Sequence, residues 1–312
     1  MPTTGITRPP LLPAASWDTH VHIFDSNLGS FASGAAYTPA QAPLSDLLDF
    51  QRSVTREGSS ANLVLVQPSP YGTDNSILLK TLEQLVRIGH PHARGIAVVD
   101  VEIITDDELW ALHRAGVRGL RLNKMASQDG FESQTFCSEI RHAADRIKRM
   151  PGWKLQIFVS GKIWDDIYET VLSLPVIIIA DHIGGMAGVS RLPADQKTTQ
   201  QPGYQSLLKL AQQGRVLIKI SGLYRLSSES ETGYADLEPV IGELAAKVPD
   251  RLIYASDWPH TGDGSDRGNR RPGQVEEFRK VDNQLILANI KSWIGEETWE
   301  KMMVTTPASA FL

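Results

Sequence analysis

The sequence predicts a (β/α)8 barrel, and three observations lead to that fold class. Eight short segments rich in β-branched residues begin near residues 17, 62, 95, 117, 154, 176, 216 and 252. Their mean spacing of about 34 residues leaves room for a strand, a helix and two loops. Several of the segments are apolar on both faces, as parallel strands covered on both sides are. Eight consecutive strand–helix units favour a closed barrel over an open doubly wound sheet.

Each predicted element has its own local signal. In chain order the strands read WDTHVHIF, NLVLVQ, GIAVVD, VRGLRLN, KLQIFVS, VIIIADH, VLIKISG and LIYASDW. Amphipathic segments predict helices over residues 45–56, 74–89, 106–115, 135–149, 163–172, 204–213, 235–247 and 275–294. Asp74 and Asp106 are suited to cap helices, and Gly58, Gly89 and Gly116 to end them. We expect one α/β barrel domain over residues 16–312, with extra or distorted helices at its carboxyl end.

Composition excludes several classes of function. The formal net charge of −5 is unlike that of a nucleic-acid-binding surface. The longest strongly apolar run, residues 176–180, spans five residues, far fewer than the roughly 20 that cross a bilayer. Cys137 is the one cysteine, so an internal disulfide and a thiolate metal cluster are excluded. We expect Cys137 to be a packed thiol.

The first 15 residues lack the apolar stretch of a signal peptide. They predict a flexible N-terminal arm, and the default expectation is a cytoplasmic protein. Both a monomer and a homodimer are compatible with the sequence.

Barrel enzymes place their catalytic side chains at the carboxyl ends of strands or in the loops that follow. The predicted strand ends carry an unusually polar set of residues for segments that are otherwise core. In chain order these are His20, His22, Gln67, Ser69, Asp100, Arg121, Asn123, Gln156, Asp181, His182, Lys219, Ser221, Arg225, Asp257 and His260. A functional site is therefore predicted at this end of the barrel.

His20 and His22 form a His-x-His pair on the first strand. Side chains at i and i+2 share one face of a strand, so both imidazoles should point into the barrel. His90 and His92 have the same spacing, but they fall between a helix and a strand at the opposite end, where catalysis is not expected. We interpret that second pair as solvated loop residues and the first pair as functional, with buried structural histidines as the alternative.

Asp257 ends the last strand and would face the first-strand histidines across the closed barrel. A buried carboxylate is costly unless it is paired or ligating, so Asp257 could hold a metal ion, accept a proton from water, or do both. His182 would be a third imidazole in the same mouth. The alternatives are a loop-capping aspartate and a hydrogen-bonded core histidine.

Four motifs together resemble the amidohydrolase superfamily: His-x-His on the first strand, Asp-His-Ile-Gly after the sixth, Lys-Ile-Ser-Gly on the seventh and Ser-Asp-Trp-Pro-His after the eighth. The resemblance covers roughly residues 16–312 and is closest to the branch of 2-pyrone-4,6-dicarboxylate and sugar-acid lactonases. It implies hydrolysis of a lactone, in which His20, His22 and His182 polarise the carbonyl and Asp257 activates water.

The resemblance leaves the metal open. Binuclear members carry a bridging lysine or glutamate on the fourth strand and a histidine on the fifth, where this chain has Arg121, Gln156 and Phe158. Two metal ions would therefore lack ligands. One ion, Zn²⁺ in the first instance, on His20, His22 and Asp257 is chemically sensible. The pyrone lactonase itself resembles a metal-independent case, so either no cofactor or one divalent ion is expected.

The predicted substrate is a small carboxylated molecule or lactone. Arg121 and Arg225 are suited to bidentate binding of a carboxylate, although ion pairs with loop acids are the alternative. Ser69 and Tyr71 could lend hydroxyls to the substrate. Relatives specific for dicarboxylates resemble this chain but carry two further arginines where it has Ser127 and Gly185-Met186. A monoacid or a less charged lactone is the better expectation.

Other activities remain open at this point. A metal-dependent decarboxylase of an aromatic or unsaturated acid, a lactone isomerase and a non-catalytic acid-binding barrel are compatible with the same residues. Glycosidase chemistry is weaker, because Asp257 is the one convincing catalytic carboxylate at a strand end. Residues 261–274 are glycine-rich and carry three arginines, which indicates either a lid over the site or a solvated loop.

Overall fold

A computed structural model describes residues 11–56, 59–125, 132–262, 264 and 274–312. These residues form ten strands: β1 (Trp17–Val21), β2 (Thr38–Pro39), β3 (Asn62–Val66), β4 (Arg94–Ala97), β5 (Val117–Asn123), β6 (Lys154–Phe158), β7 (Ile178–Ala180), β8 (Val216–Ile220), β9 (Leu252–Tyr254) and β10 (Val275–Glu276). All but β2 and β10 belong to one parallel sheet, in which each strand pairs with the next along the chain. The predicted barrel is confirmed.

The ring closes between β1 and the segment after β9. Val21 forms a parallel bridge with Trp258, and the His22 amide donates to the Trp258 carbonyl at 2.9 Å. The Asp257 amide donates to the His20 carbonyl at 3.0 Å. Closure therefore brings the end of the last strand directly beside the histidines of the first.

Helices cover the outside of the sheet and its lower end, and one short helix, Leu223–Leu226, lies at the upper end. They are α1 (Leu44–Val54), α2 (Ser76–Arg87), α3 (Asp106–Arg114), α4 (Ser133–Ile147), α5 (Ile163–Ser173), α6 (Tyr204–Gln212), α7 (Leu223–Leu226), α8 (Glu238–Lys247), α9 (Asn283–Glu300) and α10 (Thr306–Phe311). A π-helical turn, Lys301–Thr305, joins α9 to α10. Among the described residues, no helix has the length and apolar character needed to span a membrane.

Alternate strand residues divide the apolar core into two parts. One part packs between the sheet and the helices. The other is a smaller cluster of Trp17, Val64, Val66, Ile96, Ile179, Leu217, Ile253 and Phe311, whose members lie on the barrel-facing side of their strands or at its lower end. Phe311 of α10 stacks on Trp17 with ring centroids 5.8 Å apart. Apolar side chains thus fill most of the lower barrel, where Lys154 lies beside Phe311, and most of the polar residues lie at the upper end.

Several local predictions need correction. The helix predicted over 275–294 was wrong at its start, because Val275 and Glu276 pair with Thr38 and Pro39 and α9 begins only after Asp282, which accepts from the Leu285 amide. The cap of α3 is Thr105, in a capping box with Glu108, and not Asp106. The cap position of α2 is Asn75 rather than Asp74.

The predicted arm is only partly described. Residues 1–10 lie outside the described residues, as does Gly58. Leu12 is buried, and its amide donates to the Val54 carbonyl at 2.8 Å. The described end of the arm therefore packs on the end of α1.

Candidate active site

The site is built around Asp257, just beyond β9. Its carboxylate is fully buried, and the residue has φ +61°, a left-handed backbone that non-glycine residues seldom adopt. Tyr224 Oη and Arg225 Nε both donate to Asp257 Oδ2 at 2.7 Å. Oδ1 is buried and accepts no hydrogen bond from the described residues. The two oxygens of this carboxylate therefore have different surroundings.

Three imidazoles surround Asp257. The Nε2 atoms of His20 and His22 lie 3.7 and 3.9 Å from Oδ1, and Nε2 of His182 lies 3.9 Å from Oδ2. The His20 and His22 Nε2 atoms are 3.2 Å apart. The four residues come from both ends of the sequence and from the loop after β7, and the structure brings them together as predicted from the strand ends.

The backbone of two loops fixes His182. His182 has φ +51°, and its Nδ1 lies 2.9 Å from Ser221 Oγ. Gly222 stands against the same ring, since a Cβ at this position would come 2.5 Å from His182 Nδ1. Gly222 also has φ +58°, which glycine adopts without strain. A side chain at position 222 would displace the imidazole.

A second layer of polar residues lies below His20. Lys219, fully buried, donates from Nζ to Gln156 Oε1 at 2.7 Å and lies 3.3 Å from both His20 Nδ1 and Asp181 Oδ1. Gln156 Nε2 donates to Asp181 Oδ2 at 2.9 Å. Arg121 Nε reaches the same oxygen at 3.4 Å. Strand alternation turns Gln156 and Lys219 into the barrel, where they form this network.

Burial dominates the electrostatics of the imidazoles. It lowers the pKa of His22 to about 3, with Arg121 contributing, and that of His182 to about 4. Burial, followed by Lys219, lowers the pKa of His20 well below its usual value. All three rings are therefore neutral near pH 7.

The charged groups are held by their partners. Burial alone would raise the pKa of Asp257, but Arg225 and the imidazoles hold it well below its usual range. Asp181 behaves similarly, with Lys219 as the main opposing charge. Burial lowers the pKa of Lys219 to about 8 against the effect of Asp181, so its ammonium form predominates near pH 7. The upper barrel thus holds two carboxylates, Asp257 and Asp181, and three cations, Lys219, Arg121 and Arg225.

A cavity of about 500 Å³ opens above this cluster. It is lined by His22, Tyr37, Pro68, Ser69, Arg121, Asn123, Met125, Phe158, Val159, Ser160, Gly185, Ala187, Arg191, Arg225, Leu226, Thr261, Gly262 and Gly264. Three arginines and no carboxylate are present among these described lining residues. The chemistry of the wall therefore suits an anionic molecule.

Some of the predicted site residues line the cavity and others do not. His22, Ser69, Arg121 and Arg225 line the cavity, whereas His20, His182 and Asp257 lie behind its wall. Tyr71 does not contribute to the described lining. Its hydroxyl accepts from the Asp25 amide at 3.1 Å and its ring packs against Phe24 and Phe31. Ser127 and most of the predicted lid fall outside the described residues.

Both predicted binding arginines also contact site acids. Arg225 donates to Asp257, to Thr261 Oγ1 at 2.6 Å and to the Gly262 carbonyl at 3.2 Å, so it mainly orders the loop after β9. Among the described residues, the polar contact of Arg121 is made through Nε to Asp181. The terminal nitrogens of Arg121 are therefore the more suitable contacts for a bound anion.

Sequence reasoning missed three residues of the site. Arg191 and Tyr37 line the cavity from long loops, where no periodic pattern predicts the direction of a side chain. Tyr224 donates to Asp257, and its position next to Arg225 is the one signal that could have identified it. Lys219 was noted at a strand end but was given no role.

The residues fit a single divalent cation. His20, His182 and Asp257 each offer a ligand atom, and these atoms lie within 4.8 Å of one another. The buried Asp257 Oδ1, which has no donor among the described residues, is the oxygen that such an ion would need. Imidazole and carboxylate ligands suit Zn²⁺. His22, part of the predicted set, lies beside this group through its contact with His20.

The fold and the site define a hydrolase-type (β/α)8 barrel with histidines on the first strand and an aspartate after the last. The chain belongs to the amidohydrolase family, whose model (Amidohydro_2) matches residues 17–278. It is 30% identical over 269 residues to a 4-sulfomuconolactone hydrolase of Rhizobium radiobacter, covering 80% of this chain and 78% of that protein. It is 29% identical to a 2-pyrone-4,6-dicarboxylate hydrolase of Comamonas testosteroni, with 80% and 78% covered.

Solved structures agree with this assignment. A putative 2-pyrone-4,6-dicarboxylic acid hydrolase from Pseudomonas putida superposes with a TM-score of 0.73 at 27% identity, covering 96% of this chain and 98% of that one. An amidohydrolase from Burkholderia multivorans with bound zinc gives a TM-score of 0.64 at 16% identity, with 96% and 99% covered. The similarity to the Burkholderia multivorans structure, at 16% identity, shows the fold alone.

Proposed function

We propose that this protein opens the ring of a small lactone that carries an acidic group, by adding water to the lactone carbonyl. The observation that carries the proposal is the state of Asp257. Its Oδ1 is a buried carboxylate oxygen with no donor among the described residues, and the Nε2 atoms of His20 and His22 lie 3.7 and 3.9 Å from it. The similarity to two lactone hydrolases supports the same reaction.

Asp257 is the proposed general base. Oδ2 is occupied by Tyr224 and Arg225, so Oδ1 is the oxygen that accepts the proton of the attacking water. The low pKa of Asp257 keeps the carboxylate ionised near pH 7, the form that a general base requires. After the carbonyl carbon has been attacked, Asp257 returns the proton to the leaving alkoxide, and a free carboxylic acid and a hydroxyl group result.

The imidazoles stabilise the negative oxygen of the tetrahedral intermediate. His20 and His182 are neutral at pH 7, and each can donate to the negative oxygen when its proton is on Nε2, the nitrogen that lies 3.7 Å (His20) or 3.9 Å (His182) from an Asp257 oxygen. One such donor contributes about 2.7–4 kcal/mol to transition-state stabilisation in a preorganised site. A divalent ion held by His20, His182 and Asp257 would polarise the carbonyl as a Lewis acid.

Arg121 binds the acidic group of the substrate. Arg121 lies in the cavity wall and contacts Asp181 through Nε, and a planar guanidinium matches a carboxylate or sulfonate. Arg191 adds a second positive charge to the wall. Its Nη1 also donates to the Arg225 carbonyl at 2.6 Å. A substrate with one acidic group remains the better expectation, since the two further arginines of dicarboxylate-specific relatives are replaced here by Ser127 and Gly185-Met186.

The reaction can be tested with a panel of pyrone, muconolactone and aldonolactone substrates, monitored by acid release. A hydrolase must incorporate one ¹⁸O atom per turnover into the product carboxylate when the reaction runs in H₂¹⁸O. An isomer without ¹⁸O, or release of CO₂, would contradict the proposal and assign one of the alternative reactions. Acidic lactones should be preferred over their neutral amides or esters.

A further inference from the structure

Lys219 occupies an unusual place for a lysine, because it is fully buried inside the barrel and directly below His20. Its Nζ donates to Gln156 Oε1 at 2.7 Å and lies 3.3 Å from His20 Nδ1. It also forms an ion pair with Asp181 Oδ1 at 3.3 Å, an oxygen that accepts no hydrogen bond from the described residues. An ammonium group can only donate, so the contact with His20 Nδ1 is a hydrogen bond when that nitrogen carries no proton.

The neighbouring imidazoles restrict where the protons can be. His22 Nδ1 lies 2.7 Å from the Val66 carbonyl, which can only accept, so this nitrogen carries the proton. His22 Nε2 then has a lone pair. His20 Nε2 lies 3.2 Å from that lone pair. The contact is favourable when His20 carries its proton on Nε2 and repulsive when both nitrogens are bare.

We propose that Lys219 is a positioning residue that holds His20 in the tautomer with its proton on Nε2. The ammonium donates to His20 Nδ1, His20 Nε2 donates to His22, and His22 Nδ1 donates to the Val66 carbonyl. In the metal-free protein His20 is thereby a hydrogen-bond donor at the site, and binding of a cation through its Nε2 requires the other tautomer. Its donor is directed to the side of the ring on which Asp257 Oδ1 lies.

The alternative tautomer would serve a metal ion. With the proton on Nδ1, His20 would donate to Asp181 Oδ1, also 3.3 Å away, and leave the Nε2 lone pair free to bind a cation. The ammonium of Lys219 opposes this tautomer in two ways. It donates to Nδ1, which must then carry no proton, and its positive charge repels an approaching cation. Removal of the ammonium should therefore strengthen metal binding.

The wild-type protein allows a direct test. Long-range ¹H–¹⁵N spectra of the metal-free protein, with the His20 resonances assigned by substitution, distinguish the two tautomers of a neutral imidazole. We expect the His20 proton on Nε2 and the His22 proton on Nδ1. A His20 proton on Nδ1 in the metal-free wild-type protein would overturn the proposal, whether or not any lactone is hydrolysed.

Lys219→Met tests the cause. We expect the His20 proton to move to Nδ1, and Zn²⁺, measured by competition with a chromophoric chelator, to bind at least tenfold more tightly. Lys154→Met is the matched control, because Lys154 is a buried, barrel-facing lysine that donates to the carbonyls of Gly152 and Ala310. Unchanged or weaker Zn²⁺ binding in folded Lys219→Met, or equal strengthening in Lys154→Met, would contradict the inference. If Lys219→Met does not fold, the wild-type spectra still decide.

Discussion

Replacement of Asp257 with Asn is the most direct test of the proposed base. The side chain keeps its shape, and the two donors at Oδ2, Tyr224 and Arg225, require an oxygen there. The amide oxygen will therefore take the Oδ2 position and place the NH₂ group at the position of Oδ1. A donor then faces the attacking water where an acceptor is needed.

The magnitude follows from that exchange. Loss of a positioned general base costs about 10²–10⁴ in rate, or about 2.7–5.5 kcal/mol of transition-state stabilisation. We expect kcat for an acidic lactone to fall by this factor, while KM changes little because Arg121 is untouched. The loss of charge-assisted hydrogen bonds at Oδ2 should also lower the free energy of unfolding by about 1.5–3 kcal/mol.

The assay is initial-rate lactone hydrolysis beside thermal unfolding. Asp49→Asn is the control, because Asp49 is an exposed carboxylate on α1 whose ion pair with Arg52 lies at the surface. The control should retain wild-type kcat and stability. A folded Asp257→Asn protein with kcat within threefold of wild type would refute the assignment of Asp257 as the base.

Three further predictions concern the surroundings of Asp257. Arg121→Met removes one charge-assisted contact worth about 1.5–3 kcal/mol, so KM for an acidic lactone should rise roughly 10- to 100-fold. The KM of a neutral analogue, which should be the same for the variant and the wild-type protein, is the internal control. Because the folded-state pKa of Asp181 is lowered, its stabilisation is complete above its unfolded pKa and is lost as the pH falls through the folded value. Asp181→Asn should therefore lose less unfolding free energy between pH 7 and pH 3 than wild type in urea titrations, and an equal loss would contradict this sign. Gly222→Ala should shift His182, lower kcat at least tenfold and destabilise the fold by about 1–3 kcal/mol, whereas Gly152→Ala, which has a similar positive φ and open space around it, should destabilise the fold and leave kcat unchanged.

Strand periodicity explains what could be predicted from the sequence. His20 and His22 share a strand face, and barrel closure places Asp257 beside them, so the core of the site follows from alternation and strand order. The same alternation puts Gln156 and Lys219 on the inner face. Their pairing with Asp181 could not be foreseen, because it depends on the distances between strands that are remote in sequence.

Loops and end segments account for the remainder. Arg191 lies on a short 3-10 turn, Val189–Arg191, and its direction depends on how a long loop packs. The helix predicted from residue 275 fails because Val275 has a partner, Thr38, more than 200 positions earlier. Local propensity cannot report such a contact. Tyr71 satisfies the strand-end rule, yet its ring prefers an aromatic neighbourhood to the cavity.

The junction between the first and last barrel strands carries three residues of the proposed site. The hydrogen bonds that join the first and last barrel strands include one from the Asp257 amide to the His20 carbonyl and one from the His22 amide to the Trp258 carbonyl, so residues of the proposed site also close the barrel. Opening of the barrel at this junction would separate Asp257 from His20 and His22. A ligand that contacts both β1 and the segment after β9 should therefore slow hydrogen exchange at the Asp257 and His22 amides. Turnover would then require that the barrel stay closed at this junction.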